Sequence, residues 1–287
     1  MTKEFQTITA AFFSPNGTTA KLTRALAAEI AGAVSADAGQ QANAEIDFTK
    51  PATREGLYEF QENDLLVFGC PTYAGKLPNK ILPFFQNGFK GKNTPAVVLV
   101  TFGNRSLDNS LAEAVYTLEN NGFRVVAGGA FPCQHAFTEK LATGRPNQKD
   151  MKELERFGRE VTAALKREVA EALRQEATEA LKVPGDPHAE YYKPLGMDMQ
   201  PAVFLKATPK TDEEKCDGCG VCPKLCPMGS IDKEEPSKIT GICIKCHACV
   251  NGCPKGAKYF DDPAFISHRE MLEHNYTAPK EARWFII

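Results

Sequence analysis

The sequence predicts two domains of different class: an α/β domain built on a doubly wound parallel sheet of five strands, and a second, small α+β domain organised by cysteines. Three observations carry the prediction. Short apolar runs alternate with helix-period patterns through the first half of the chain, eight of the ten cysteines fall between residues 216 and 253, and Pro184, Pro187 and Pro194 punctuate the stretch between these regions. The expected boundaries are residues 1–182 for the first domain, 183–203 for a linker, 204–263 for the second domain and 264–287 for a tail containing Trp284. A chain of 287 residues is long enough for both domains.

Each element follows from a local pattern. Residues 7–14, rich in Phe and Ala, suit a buried strand, and a loop at 15–18 leads into a helix over 19–33 with Leu22, Leu26 and Ile30 on one face. Residues 44–48, 64–69 and 96–101 suit a second, third and fourth strand; a helix over 108–120 and a fifth strand over 123–130 follow. The stretch 148–182 reads as one long amphipathic helix. Its apolar positions Met151, Leu154, Phe157, Val161, Leu165, Val169, Leu173, Ala177 and Leu181 recur at steps of three or four, and its eight basic and eight acidic residues suit a solvated opposite face. It is longer than a five-stranded sheet requires, so its end is expected to reach toward the second domain.

The cysteines form one pattern written twice. Cys216, Cys219, Cys222 and Cys226 precede Pro227; Cys243, Cys246, Cys249 and Cys253 precede Pro254; matched positions, including Gly229 and Gly256, are 27 residues apart. In a C-x2-C-x2-C-x3-C-P run, three thiolates wrap one face of an iron–sulfur cube, and the fourth, beyond a turn of the chain, ligates the other cluster. Two 4Fe-4S clusters are therefore expected, one held by Cys216, Cys219, Cys222 and Cys253, the other by Cys243, Cys246, Cys249 and Cys226. Gly218, Gly220, Ala248 and Gly252 let backbone N–H groups approach the sulfurs, and such hydrogen bonds help set the reduction potential. His247, between two ligands, is expected either to tune its cluster or to face solvent. A zinc module would pair two knuckles without the triple repeat and trailing Pro. A disulfide framework would belong to a secreted chain, and Met1-Thr2-Lys3-Glu4 starts no signal peptide.

Charge removes other classes. The chain has 34 Lys+Arg against 36 Asp+Glu, a formal net charge of −2, so no nucleic-acid footprint is visible. No apolar stretch approaches the roughly 18 residues of a membrane span. A cytoplasmic protein is expected, in an anaerobic host, since clusters of this type are commonly oxygen-sensitive.

In an open parallel sheet, ligands bind beyond the strand C-termini where the strand order reverses. The first strand ends in Ser14, Pro15, Asn16, Gly17, Thr18 and Thr19, whose hydroxyls and N–H groups at a helix N-terminus suit a phosphate dianion. No Gly-Lys-Ser/Thr follows and no G-x-G-x-x-G occurs, which argues against a Walker loop and a Rossmann nicotinamide site. The third strand runs into Pro71, Thr72, Tyr73, Ala74 and Gly75, and the fourth into Thr101, Phe102, Gly103, Asn104 and Arg105. Three loops are thus expected to converge on one edge.

This arrangement resembles flavodoxin over about residues 5–165, with 14–19 matching its T/S-x-T-G-x-T loop except for Asn16 at a hydroxyl position. The resemblance implies the strand order 2-1-3-4-5 and FMN bound by these three loops, with Tyr73 stacked on the flavin ring and Gly103, Asn104 and Arg105 bordering it. Joined to the cysteine module, the whole chain resembles the flavodoxin–ferredoxin fusion family of anaerobic bacteria and archaea. The implied function is an electron carrier that relays electrons between two 4Fe-4S clusters and FMN, interconverts one- and two-electron transfer, and docks redox partner proteins. The alternative is an FMN-dependent reductase of a small organic substrate, with His135 in the polar loop after Cys133 as proton donor. Cys70 and Cys133 read as small buried hydrophobes. Whether the cysteine module lies over its own flavin or over that of a partner chain in a homodimer stays open, as do the donor and acceptor.

Overall fold

A computed structural model describes residues 5–35, 42–173 and 180–287. In chain order the elements are β1 (Thr7–Phe12), α1 (Thr18–Ser35), β2 (Ala42–Asp47), β3 (Tyr58–Phe60), β4 (Asp64–Pro71), α2 (Leu82–Gly88), β5 (Phe89–Gly91), β6 (Thr94–Phe102), α3 (Ser110–Asn120), β7 (Phe123–Pro132), α4 (Gln148–Leu173), β8 (Lys210–Thr211), α5 (Val221–Leu225), α6 (Ala248–Asn251), β9 (Lys258–Tyr259), α7 (Pro263–Asn275) and β10 (Arg283–Ile286). A 3-10 turn occupies Pro51–Glu55.

The main sheet has the order β2-β1-β4-β6-β7-β10. Its first five strands are parallel and follow the expected 2-1-3-4-5 order, β3 and β5 forming a separate two-stranded ladder. Because successive strand residues face opposite sides, the apolar runs feed two cores. Leu65 and Val67 meet Leu22, Leu26, Ile30, Leu154, Phe157 and Val161 of α1 and α4 on one face. Leu66 and Phe68 meet Leu111, Leu118 and a phenylalanine cluster of Phe13, Phe48, Phe85 and Phe89 on the other. The rings of Phe68 and Phe85 stack with centroids 4.2 Å apart. Burying each such ring contributes about 2–3 kcal/mol. This two-sided burial fixes the strand ends, and with them the loops that follow β1, β4 and β6.

Two departures from the expected boundaries change the architecture. The helix expected over 148–182 is described to Leu173; Ala177 and the side chains of Val169 and Leu173 lie outside the described residues. Leu181 is not helical, and it packs on the sheet face opposite Leu154, because the chain has already crossed to the α3 side. The segment 264–287, read as a tail, is built into the first domain. Asp262 caps α7 by accepting the Phe265 N–H at 2.9 Å, and β10 then pairs antiparallel with β7, Arg283 opposite Ala130 and Ile286 opposite Ala127. Trp284 lies against Phe131, and its Nε1 donates to Glu160 Oε2 at 2.8 Å. The cysteine module thus leaves the sheet after α4 and returns to it at β10. Among the described residues, no helix is long and apolar enough to cross a membrane.

Candidate cofactor sites

The eight clustered cysteines surround two cavities. Cys216, Cys219, Cys222 and Cys253 line one; Cys226, Cys243, Cys246 and Cys249 line the other. The fourth cysteine of each run faces the cavity of the other, the exchange expected from the spacing. Backbone N–H groups point at the sulfurs: Ser230 donates to Cys226 Sγ at 3.3 Å, Lys245 to Cys243 at 3.4 Å and Ala257 to Cys253 at 3.3 Å. The two surroundings differ. In the first set Cys219 is exposed, Cys216 and Cys253 are partly so and Cys222 is buried; in the second none is exposed, Cys226 and Cys243 being partly buried and Cys246 and Cys249 buried, where burial pushes their thiols up to about 12. A thiolate at those positions therefore needs bound cationic iron beside it.

The three expected loops of the first domain do converge at the C-terminal edge of the sheet. Ser14 Oγ accepts the Ala20 N–H at 2.9 Å, Thr19 Oγ1 bonds Thr101 Oγ1 at 2.8 Å, and the Thr72 N–H donates to the Thr101 carbonyl at 2.7 Å. The donor set fits a phosphate. The first N–H groups of a helix have no intrahelical acceptors, the Ser14 hydroxyl bonds the Ala20 N–H in the first turn of α1, Thr18 adds a second hydroxyl to the loop sequence, and nothing stands within 4 Å of a Cβ added at Gly17. Tyr73, in the turn with Ala74 and Gly75 and closed by its bond to the Lys76 carbonyl, stands half-buried. Burial first, then the neighbouring Cys246, Cys70 and Cys243 sulfurs, push its hydroxyl well above the ordinary phenol range.

The side chains after β6 point elsewhere than expected. Buried Asn104 donates to the Tyr276 and Ala278 carbonyls at 2.6 and 3.1 Å and accepts the Lys280 N–H at 3.2 Å, so it holds the segment between α7 and β10. Arg105 pairs with Asp108 and lies 4.0 Å from the centre of the Tyr192 ring. Within that loop the Phe102 carbonyl accepts the Asn104 and Cys133 N–H groups at 3.0 and 2.9 Å. Gly103 is required by close approach, since a Cβ there would stand 2.3 Å from His135 Cδ2. His135 accepts the Phe137 N–H on Nδ1 at 3.1 Å, and burial, with His268 and Arg105 nearby, lowers it to about 4. It is a neutral imidazole at pH 7, so it can donate only through Nε2 and is not a cationic acid. Cys70 and Cys133 are buried among apolar side chains, as expected, and burial raises both thiols.

The second cysteine cavity abuts these loops. Asn16 Nδ2 donates to the Cys246 carbonyl at 2.7 Å, and Asn251 Nδ2 donates to Asn16 Oδ1 at 3.0 Å and to the Ala136 carbonyl at 3.1 Å. Arg54 donates to the Phe48 and Thr49 carbonyls, each at 2.8 Å, and reaches the Pro227 carbonyl next to Cys226. Met228 and Ile244 pack on the phenylalanine core. His247 is enclosed by Phe137, Phe260 and Phe265 at ring-centre distances of 4.7, 4.7 and 5.2 Å, and its Nε2 is buried without a hydrogen-bond partner. It does not face solvent.

The linker is bolted down rather than loose. Buried Lys76 pairs with Glu113 at 3.0 Å and donates to the Pro187 and Ala189 carbonyls at 2.9 and 2.8 Å; Tyr191 donates to the Leu77 carbonyl at 2.8 Å. Arg54, Lys76, Asn251 and Phe137 were not singled out for these roles from the sequence. Lys76 alone carried a signal, its place inside the loop after β4.

Comparison with known proteins agrees with this division. Residues 208–254 match the 4Fe-4S dicluster domain family. A 51-residue stretch is 41% identical to an uncharacterized protein of Methanocaldococcus jannaschii, covering 18% of this chain and 20% of that protein. Another of 80 residues is 31% identical to a selenate reductase component of Mesobacillus selenatarsenatis, covering 26% of this chain and 27% of that component. The matches thus span about a fifth and about a quarter of those relatives. Among solved structures, an archaeal flavodoxin shares 15% identity over 56% of this chain and 99% of its own, with a TM-score of 0.36. A short-chain flavodoxin associated with a PDU bacterial microcompartment shares 13% over the same fractions, with a TM-score of 0.38. The flavodoxin-like assignment of the first domain rests on its own strand order. The chain joins a flavodoxin-like α/β domain to a 4Fe-4S dicluster domain, the combination expected of a flavodoxin–ferredoxin fusion.

Proposed function

We propose that this chain is an electron-transfer protein holding two 4Fe-4S clusters and FMN within one polypeptide, ordered from an exposed cluster through a buried one to the flavin. The observation that carries the reading is the seam: the carbonyl of Cys246 accepts from Asn16 of the loop after β1, and Asn251, on the helix of Cys249, donates to Asn16 and to the Ala136 carbonyl. Cys216, Cys219, Cys222 and Cys253 would hold the outer cluster, and Cys226, Cys243, Cys246 and Cys249 the inner one. Ser14, Thr18, Thr19 and the α1 N-terminus would hold the FMN phosphate; Pro71, Thr72, Tyr73, Ala74, Gly75 and the Phe102–Gly103 backbone would border its ring. When bound, the flavin supplies two-electron chemistry and each cluster a single electron. The protein's part is to orient these groups, exclude water from the inner set, and leave Cys219 at a surface a redox partner can reach. The contact is made within one chain, which supports a relay that needs no second copy.

The carrier reading is preferred over a substrate reductase on one observation. His135, the expected proton donor, is held neutral and packed onto Gly103 and Phe137. The likeness of the cysteine segment to a reductase component supports a role in supplying electrons, and reducing conditions for the thiols support a cytoplasmic setting. Anaerobic reconstitution followed by redox titration with EPR tests the proposal. The expected result is one flavin and the iron of two four-iron clusters per chain, with one cluster magnetically coupled to the flavin and the other not. A preparation that takes up no flavin, or only one cluster, would overturn it.

A further inference from the structure

Asn16 is exposed, yet its amide is satisfied on both ends by residues more than 200 positions away. It donates to the carbonyl of Cys246 and accepts from Asn251, which sits on α6 beside Cys249 and also donates to the carbonyl of Ala136. The Asn16–Asn251 pair ties three segments together: the phosphate-type loop and the inner ligand loop through Asn16, and the loop that carries His135 through Asn251. The Ser14 hydroxyl bonds the Ala20 N–H and the Thr19 hydroxyl bonds Thr101 within the first domain, whereas Asn16 bonds across to the cysteine module. At an exposed site such bonds add little to global stability, so their consequence is local.

We infer that Asn16 is a positioning residue which registers the inner cluster against the flavin loops and sets that cluster's potential through Cys246; the inference rests on the proposed relay. The N–H of its amide directs a positive dipole end at the carbonyl of a ligand residue. A dipole so oriented stabilises the electron-rich state of an adjacent cluster, as hydrogen bonding and local charge do generally. Only the inner cluster is within reach, because the outer set has no contact with residues 14–19 among the described bonds. Threonine at position 16 would restore a hydroxyl to the loop but is too short to span the gap.

The test uses the fully loaded, full-length protein and its variants N16T, N251A and the double variant. EPR-monitored titration resolves the two cluster potentials, and amide hydrogen exchange follows residues 246–251. Each single variant is expected to lower one cluster potential and leave the other in place, and to speed exchange at 246–251 by about three- to tenfold. The double variant should add little to either single one, since both break the same link. N251A should leave the bound flavin content unchanged. Unmoved potentials in N16T, or equal shifts of both clusters, would overturn the inference. A wild-type protein that carries clusters but no flavin overturns the relay instead and leaves this coupling standing or falling on the cluster potentials alone.

Discussion

The two cysteine runs are copies in sequence and opposites in setting. In the first, Gly218 and Gly220 take left-handed backbone angles of +70° and +69°. At the matched positions of the second stand Lys245 and His247, at +54° and +61°. A side chain in that region costs about 1–2 kcal/mol, which glycine avoids. The second run tolerates the cost because both side chains find partners: Lys245 Nζ donates to the Leu205 carbonyl, and His247 fills the cage of Phe137, Phe260 and Phe265. The same contrast recurs at the trailing glycines, where Gly229 lies near Pro51 and Gly256 faces open space. The same cysteine run is written twice; what distinguishes the copies is which one the first domain covers. The covered copy has traded backbone ease for attachment.

The comparison can be broken most sharply at the exchanged ligands. C253S, although in the second run, should abolish the outer cluster and spare the inner one, and C226S should do the reverse; iron analysis and EPR read the outcome. Loss following the run instead of the cavity would show the crossing to be wrong. Next in size are the left-handed positions. H247G relieves backbone strain yet empties the aromatic cage, a loss of about 2–3 kcal/mol that should exceed the relief, so its urea midpoint should fall. G220A, with no cage to empty, should cost about 1 kcal/mol from strain alone. A more stable H247G would mean that the cage contributes little. The smallest effect is acid sensitivity confined to the covered side. His135 is lowered by burial to about 4 from an ordinary value near 6.5, so the unfolded chain binds the extra proton throughout that window. Stability contributed by the neutral ring is complete above about 6.5 and is lost as the pH falls toward 4. H135Q should flatten that part of the pH dependence of the urea midpoint, and an unchanged slope would remove His135 as its source.

Much of this was legible in the sequence because it is local or periodic. The spacing from Cys216 to Cys253 encodes both cavities and their exchange of one ligand, and the apolar runs encode the five parallel strands. What was not legible depends on partners far along the chain. Residues 283–286 have no alternation to mark a half-buried strand, and only the free edge of β7 makes them one. Asn104 and Arg105 sit where a flavin-bordering loop belongs, but their side chains answer to Tyr276, Ala278 and Asp108 instead. Asn16 looked like a flaw in a hydroxyl pattern until Cys246 was found opposite it. Even His247 could not be placed from its neighbours in sequence, since Phe137 comes from the other domain.

The return of the chain to β7 has a mechanical meaning. A module held by one flexible tether is a swinging arm, whose cofactor samples a volume and meets its target at a concentration set by tether length. Here the cysteine module is held at both ends, by the Lys76-anchored segment that enters it and by α7 and β10 that leave it. It has the freedom of a clasp, not of an arm. In the proposed relay, electrons crossing the seam at Asn16 would cross a fixed gap, and any traffic that requires motion would fall to the outer, exposed cysteines.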